Sequence, residues 1–229
     1  MSTRTYFSAP IVGMLYDGMK ICDRDDDSDN EHIIKRRFVV DGRKWITAQD
    51  KSLRWSFRDE FHLIKKDIQY RVVKAVMRKA LEVWSKGSQG ELTFEDVSPK
   101  GRNENEAAIP ADIEIEFARY EHGDKESFDG RGGIVAHSAY PREGIIHFDG
   151  SEYWSVDGRN GSLDLRFVAL HEIGHALGLR HSRNQNAIMH PYYRFVLIVI
   201  AFLTITVHFG RNPTEFMFEI STLGIPIER

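Results

Sequence analysis

The stretch HEIGHALGLRH, residues 171–181, decides the fold expected for this chain. It ends a segment with the apolar periodicity of a helix, so His171 and His175, four residues apart, share one helical face. Gly178 can adopt the left-handed conformation that ends a helix in a sharp turn, after which the chain can bring His181 back to the first two imidazoles. Three histidines that converge in this way predict a zinc site with one coordination position left open for water.

Glu172 is the residue from which we predict chemistry at this zinc. It lies about 100° round the helix from its neighbour His171 and can reach a water on the metal without being a ligand. Zinc lowers the pKa of such a water towards about 7, and a nearby carboxylate can take its proton and hand it to a leaving amine. Since zinc would also polarise a carbonyl and stabilise the oxyanion, the sequence predicts peptide-bond hydrolysis with Glu172 as general base.

The composition is that of one ordinary globular catalytic domain with a tail at each end. The 229 residues carry a formal net charge of −3, with 41% hydrophobic and 28% charged residues, which argues against nucleic acid or an anionic membrane as the partner. We divide the chain into an N-terminal segment with its linker at 1–37, a catalytic domain at 38–193 and an atypical apolar tail at 194–229. Cys22 is the only cysteine, so an internal disulfide is excluded and extra rigidity must come from metals.

Apolar periodicity predicts helices and strands around the site. A long helix is predicted at 67–85, ended by Gly87 and Gly90, and a second helix at 163–177. Short strands are predicted where apolar residues alternate or cluster, around 92–97 and at 111–117, 133–139 and 145–148. The segment 121–152 is rich in Gly, Asp and His, and metal binding would explain how a loop of this length is held.

The two ends of the chain leave alternatives open. The stretch FVLIVIAFLTITV at 195–207 is almost wholly apolar but shorter than the roughly 20 residues of a standard transmembrane helix. A buried strand is one interpretation, and a membrane-associated fragment anchored by this stretch is another, although we expect no membrane partner. Residues 1–23 lack the cationic start and continuous apolar core of a secretory signal.

Several motifs together resemble one known family. The zinc stretch, the glycine turn and Met189, eight residues after His181, resemble the metzincin clan, and HSRNQNAIMHPYY at 181–193 resembles its matrix metalloproteinase (matrixin) family. The likeness extends over about residues 43–193 and includes the segments RKWITAQDKSLRWSF, ALEVWS, ADIEIEFARYEHGD, FDGRGGIVAH and HFDGSEYW. It implies an α+β, zincin-like fold, in which a twisted mixed five-stranded sheet packs with a long helix and an active-site helix. Met189 would form the methionine turn below the zinc, called the Met-turn.

The resemblance also implies metal sites beyond the catalytic zinc. A second, structural zinc would have four ligands, which form a closed tetrahedral site: His122, Asp124, His137 and His147. A calcium ion would be bound by hard oxygen donors of the same loop. These donors are the side chains of Asp129, Asp149 and Glu152 and the carbonyls of Gly130, Gly132 and Ile134. The expected cofactors are therefore two zinc ions and calcium.

Substrate binding is a further implication of the resemblance. Pro191 and Tyr193, after the Met-turn, would wall the specificity pocket, and the strand at 133–139 would pair with an extended peptide by β-augmentation. The family implies an extracellular, secreted zinc endopeptidase that cleaves proteins of the extracellular matrix. We expect a monomer.

Two departures from the family pattern leave open the role of Cys22 and the function of the chain. Cys22, in MKICDRDDD, precedes the basic triplet at 35–37 by about the distance expected of the cysteine that binds zinc in a latent matrixin. The Pro, Arg and Gly of the PRCGxPD motif are absent, and the propeptide-like segment is truncated, so a zinc latch and an inert thiol are both open. After Tyr193 the chain lacks the family's final helix with paired aspartates. The alternative function is therefore a non-catalytic zinc- and calcium-binding module without a formed specificity pocket.

Overall fold

The fold is taken from a computed structural model of the chain. It describes residues 19–22, 45, 52–64, 66–88, 90–101, 109–156, 158, 161–185, 187–193, 204–209 and 216–221. Three segments lie outside these residues: the acidic and polar sequence DRDDDSDNEH at 23–32, the basic triplet at 35–37 and most of the apolar stretch at 195–207. The domain from the first strand to the Met-turn is therefore described almost throughout.

Eleven elements are described. In chain order they are β1 (Ser52–Phe57), α1 (Asp67–Gly87), β2 (Thr93–Asp96), β3 (Ile113–Ala118), β4 (Ala136–Ser138), β5 (Ile145–Asp149), β6 (Trp154–Ser155), β7 (Leu163–Asp164), α2 (Leu165–Ala176), β8 (Thr204–Phe209) and β9 (Phe216–Ser221). Neither of the two described helices is long and apolar enough to cross a membrane.

Five strands form one mixed sheet in the order β2-β1-β3-β5-β4. The first four pair in parallel, and β4 runs antiparallel to β5 at the edge, with His137 opposite His147. Alternation along β3 buries Ile113, Ile115 and Phe117, as the sequence pattern predicts. The expected α+β class with a mixed five-stranded sheet is confirmed.

Helix α1 buries one face against the sheet and against α2. Its fully or nearly fully buried side chains recur at helical spacing: Tyr70, Met77, Ala80, Leu81 and Trp84. The indole of Trp84 also donates a hydrogen bond of 3.1 Å to the carbonyl of Leu170, which joins the two helices. Gly90, three residues after the end of the helix, has a φ of +80°. The chain therefore turns at the glycine that was expected to follow the helix end.

Helix α2 is a buried element that carries the first part of the stretch HEIGHALGLRH, with His171, Glu172 and His175. Asp164 caps it by accepting a hydrogen bond of 2.9 Å from the amide of Arg166. Ten of its twelve residues are buried, which is why its sequence shows little amphipathic contrast. The helix begins two residues later than predicted, because Leu163 and Asp164 pair with Trp154 and Ser155 as β7.

The C-terminal tail contributes a separate two-stranded sheet. β8 and β9 pair antiparallel, with Thr204 opposite Ser221 and Phe209 opposite Phe216. The last four residues of the apolar stretch at 195–207 thus lie in β8.

Candidate active site

Three histidines meet at one point at the end of α2. Gly178, with a φ of +100°, reverses the chain after the helix and brings His181 back. The Nε2 atom of His175 lies 3.2 Å from Nε2 of His171 and 3.2 Å from Nε2 of His181. The three predicted ligands of the catalytic zinc are therefore brought together.

Backbone carbonyls orient two of these imidazoles. Nδ1 of His171 lies 2.7 Å from the carbonyl oxygen of Ile188, and Nδ1 of His175 lies 2.7 Å from that of Leu179. A carbonyl can only accept, so each Nδ1 must carry the proton. Each Nε2 is then left with a lone pair directed at the common centre, which is the tautomer that binds a metal.

The sulfur of Cys22 lies at the same point and is a fourth atom of a type that can bind a metal. This Sγ atom lies 3.7, 3.5 and 3.3 Å from the Nε2 atoms of His171, His175 and His181. Zinc bonds of about 2.0–2.1 Å to nitrogen and 2.3 Å to sulfur give tetrahedral edges of about 3.3–3.6 Å. The four atoms fit a zinc ion in both spacing and chemical type.

Residues 19–22 are held in place by hydrogen bonds to both sides of the cleft. The amide of Ile21 donates a hydrogen bond of 2.8 Å to the carbonyl of Pro191. The carbonyl of Ile21 accepts hydrogen bonds from the amides of Val135 (3.2 Å) and Ala136 (3.3 Å). The amide of Tyr193 donates 2.6 Å to the carbonyl of Met19. The Cys22 segment therefore runs between strand β4 and the chain after the Met-turn, as an extended peptide would.

Glu172 lies next to the first histidine and is completely buried. The hydroxyl of Ser138 donates a hydrogen bond of 2.6 Å to its Oε2. Sequence reasoning did not single out Ser138. The only signal for Ser138 was its place directly after His137. Consecutive strand residues point to opposite faces of a sheet, so Ser138 had to face away from the second cluster.

Met189 lies under α2, where the predicted Met-turn belongs. It is 5% exposed, and its carbonyl accepts 2.8 Å from the amide of Ser182 in the segment that follows the third histidine. A Cβ atom on Gly174 would lie only 2.4 Å from the sulfur of Met189. The glycine is therefore what allows the methionine to pack so closely against the helix.

Pro191 and Tyr193, the predicted pocket wall, follow the Met-turn. Tyr193 is buried, its hydroxyl accepts 3.0 Å from the amide of Asp164, and its ring meets Phe167 edge-on at 5.5 Å. These contacts tie the wall to the start of α2. The carbonyl of Pro191 is bonded to Ile21.

A second cluster contains all four predicted structural-zinc ligands. Oδ2 of Asp124 lies 3.0 Å from Nε2 of His122, 2.8 Å from Nε2 of His137 and 2.9 Å from Nδ1 of His147. Among the described residues, this group and the Cys22 group are the two that gather metal-ligand atoms within 4.8 Å of one another. Three imidazoles and one carboxylate make a closed tetrahedral donor set.

The electrostatics of this second cluster favour ligands in their binding forms. Burial lowers the pKa of His137 to about 4, against the opposing pull of Asp124. Burial also opposes ionisation of Asp124, but the amide of Glu126 and the charge of His137 outweigh it and lower the pKa of Asp124 to about 2. At neutral pH the imidazole is neutral and the carboxylate is charged, as zinc ligands must be.

Glu116 orients His147 from outside the cluster. Its Oε1 lies 2.9 Å from Nε2 of His147, so this nitrogen donates and Nδ1 faces the centre. The two residues are direct neighbours on β3 and β5. Sequence reasoning did not single out Glu116, because the pairing of these strands cannot be read from the chain.

The loop predicted to hold calcium places its carboxylates against backbone amides. Glu152 Oε1 accepts 2.6 Å from the amide of Gly132, and Asp129 Oδ1 accepts 3.2 Å from that of Ile134. Burial raises the pKa of Asp149, and the negative charge of Asp129 adds to the rise. Oδ2 of Asp149 is buried without a hydrogen-bond partner among the described residues, so the donor chemistry suits a hard cation. The three carboxylates do not form one of the clusters within 4.8 Å in the described part of the chain.

Comparison with known proteins agrees with this geometry. The matrixin family, Peptidase_M10, matches residues 44–199. The chain is 42% identical over 164 residues to stromelysin-3 of Mus musculus, an alignment covering 70% of the chain and 30% of that relative. It is 41% identical over 160 residues to the hatching enzyme of Paracentrotus lividus, covering 68% of the chain and 25% of the relative. It is 38% identical over 169 residues to matrix metalloproteinase-16 of Homo sapiens, an alignment covering 72% of the chain and 26% of that relative.

The chain thus spans 25% to 30% of the length of these curated relatives. The matched residues nevertheless include every histidine of both clusters, together with Glu172 and Met189. On the strength of a family match over residues 44–199 and of relatives about 40% identical, this chain belongs to the matrixin family and contains a matrixin catalytic domain.

Proposed function

We propose that this protein is a zinc-dependent endopeptidase whose cleft is blocked by its own Cys22 segment. The observation that carries the proposal is the tetrahedral spacing of the Cys22 sulfur and three Nε2 atoms beside a buried glutamate. Three histidines with a fourth, exchangeable position are the donor set of a catalytic zinc rather than a structural one. Relatives named stromelysin-3 and matrix metalloproteinase-16 support the same activity.

His171, His175 and His181 would hold the zinc. When bound, zinc would supply a Lewis acid for the scissile carbonyl and would lower the pKa of a water molecule. Glu172 accepts the proton of the attacking water and transfers it to the nitrogen of the leaving amine.

The Cys22 segment indicates how a substrate lies in the cleft. Ile21 already bonds through its backbone to β4 on one side and to Pro191 on the other. An extended substrate peptide would use the same backbone groups, and the wall at Tyr193 would select its side chains. Removal of residues 19–22 would therefore free both the fourth zinc position and the peptide-binding edge.

Several finer parts of the proposal rest on the resemblance to the family. His122, Asp124, His137 and His147 would hold a structural zinc, and the loop of Asp129, Asp149 and Glu152 would hold calcium, together with the carbonyls of Gly130, Gly132 and Ile134. The substrates would be extracellular matrix or other secreted proteins, cleaved by a monomeric, extracellular enzyme. The non-catalytic metal-binding module is the competing function, because residues 194–229 contain no counterpart of the paired aspartates that the family's final helix carries.

Replacing the thiol tests the latch and the activity together. The full chain and its Cys22→Ala variant, both loaded with zinc, are given a quenched collagen-like peptide with and without a chelator. We expect the variant to cleave at least about 10-fold faster than the parent, because a thiolate no longer fills the water position. The chelator should abolish cleavage in both.

Two results would contradict the proposal in different ways. Equal rates for parent and variant would mean that Cys22 is an inert thiol rather than a latch. Two bound zinc ions per chain without cleavage by either protein would favour the non-catalytic module.

A further inference from the structure

Strand β4 connects the two histidine clusters through consecutive side chains. His137 belongs to the second cluster, while the next residue, Ser138, reaches across to α2 and contacts Glu172. Ser138 is 2% exposed and Glu172 is 0% exposed. The contact between them is therefore buried from solvent. It joins the edge strand of the sheet to helix α2.

We infer that Ser138 is a positioning residue for Glu172, which fixes the orientation of the carboxylate in which it acts as general base. This inference rests on the proposed peptidase function. The Oγ–Oε2 distance of 2.6 Å lies in the range of a charge-assisted hydroxyl–carboxylate hydrogen bond. Such bonds are roughly twice as strong as neutral ones, and they are stronger still where water is excluded.

The bond acts by restricting rotation. A glutamate side chain has several rotatable bonds, and its carboxylate can turn about the last of them. Holding Oε2 at a fixed point sets the plane of the carboxylate relative to the helix. Proton transfer depends on this plane, since catalytic groups must be held within about 0.5 Å and 10–20° of their productive geometry.

Ser138 is itself firmly placed, which a positioning residue must be. It lies opposite Ile146 in the β4–β5 ladder, and the amide of Ala139 donates 2.8 Å to the carbonyl of Ile145. On its other side, His137 is fixed by contacts of 2.8 Å to Asp124 and 3.1 Å to His147. The serine hydroxyl is thus presented from a strand held at both ends.

A purely structural role makes a different prediction from a positioning role. If the hydroxyl only satisfied a buried carboxylate, its loss would lower stability and leave the rate constant of the folded enzyme unchanged. If it positions the general base, its loss lowers kcat and leaves KM alone, because substrate binding does not use this bond. The split between kcat and KM therefore separates the two roles.

The experiment compares four full-length, zinc-loaded proteins in the Cys22→Ala background. They are the parent, Ser138→Ala, Ser138→Thr and the matched control Ser56→Ala. Ser56 is a serine of the same sheet, 1% exposed, whose hydroxyl has no hydrogen-bond partner among the described residues. We expect Ser138→Ala to lower kcat about 10-fold with KM within about twofold of the parent. Ser138→Thr, which keeps the hydroxyl, should recover most of the loss, and Ser56→Ala should match the parent.

A second readout does not depend on activity. Urea unfolding of Ser138→Ala, Glu172→Ala and the double variant gives a double-mutant cycle. We expect a coupling factor of about 10 in the unfolding equilibrium constant, which would show that the two side chains are bonded. A factor near 1 would overturn the inference.

The outcomes separate this inference from the proposed function. A parent that cleaves, together with an unchanged kcat for Ser138→Ala, would overturn the role of Ser138 alone. A parent that binds zinc and cleaves nothing would overturn the peptidase function, and the positioning role with it, whatever the coupling factor. An equal fall in kcat for Ser56→Ala would also contradict the inference, because the effect would then be a general response to lost serines.

Discussion

Hydrogen-bond acceptors outside each histidine cluster decide which imidazole nitrogen faces its centre. In the first cluster this work is done by the carbonyls of Ile188 and Leu179. In the second it is done by a carboxylate, Glu116, whose side chain is 19% exposed and lies 2.9 Å from His147. A negatively charged acceptor also makes the imidazole a better donor to a metal.

Replacing Glu116 should weaken zinc binding at the second cluster. Glu116→Ala removes the acceptor from Nε2 of His147, so the ring loses both its orientation and its added basicity. We expect zinc affinity to fall about 10-fold or more, as measured by competition with a chromophoric chelator. Glu114→Ala is the matched control, because Glu114 is an exposed glutamate on the same face of β3. Equal affinities for the two variants would rule out a supporting role for Glu116.

At this scale the sequence predicted those residues whose geometry is local. His171 and His175 share one helical face because of their four-residue spacing. Gly178, directly after the helix, allows the turn that brings back His181. Ser138 and Glu116 act across pairs of elements, and their partners depend on strand register and helix packing. No local pattern carries that information.

The packing of helix α2 against Met189 depends on a glycine, Gly174. Gly174 leaves the space that Met189 fills, and an added Cβ would lie 2.4 Å from its sulfur and 3.0 Å from the ring of Trp84. The indole is anchored by its hydrogen bond to Leu170. The Trp84 ring therefore has little room to move aside, so the Met189 side chain would have to shift.

Gly174→Ala should destabilise the protein although alanine is the better helix former. The higher helix propensity of alanine alone would raise the free energy of unfolding by about 1 kcal/mol. Overpacking a dense core lowers it by about 1–3 kcal/mol. We expect a net loss in unfolding free energy, measured by urea denaturation. The Gly174→Ala, Met189→Ala double variant should lose less than the sum of its single variants, because the space is then restored. A more stable Gly174→Ala protein would contradict this account of the packing.

The predicted elements differ from the observed ones mainly at their ends. The strand expected at 133–139 is reduced to Ala136–Ser138, because the amide of Ile134 bonds to Asp129 and that of Val135 to Ile21. Likewise, α2 loses its first two predicted residues to the pairing of β6 with β7. In both cases groups outside the predicted element take up its terminal residues, and the periodicity of the element does not show those partners.

For the whole molecule, the placement of the Cys22 segment is the feature that sequence could not decide. The cysteine lies 149 to 159 residues from the histidines it contacts, and the motif around it departs from the family pattern. Its position becomes clear only once β4 and the chain after the Met-turn form the two walls that bind residues 19–22. The five-stranded sheet and helix α2 were predictable, whereas the position of residues 19–22 in the cleft was not.

The most direct test of the account is turnover per bound zinc for Glu172→Gln in the Cys22→Ala background. The substitution keeps all three histidines and the approximate shape of the side chain, and it removes the general base. We predict unchanged zinc content and a fall in kcat of about 10² to 10⁴ relative to the Cys22→Ala parent. Near-normal turnover with zinc bound would contradict the central claim that Glu172 moves the proton in this active site.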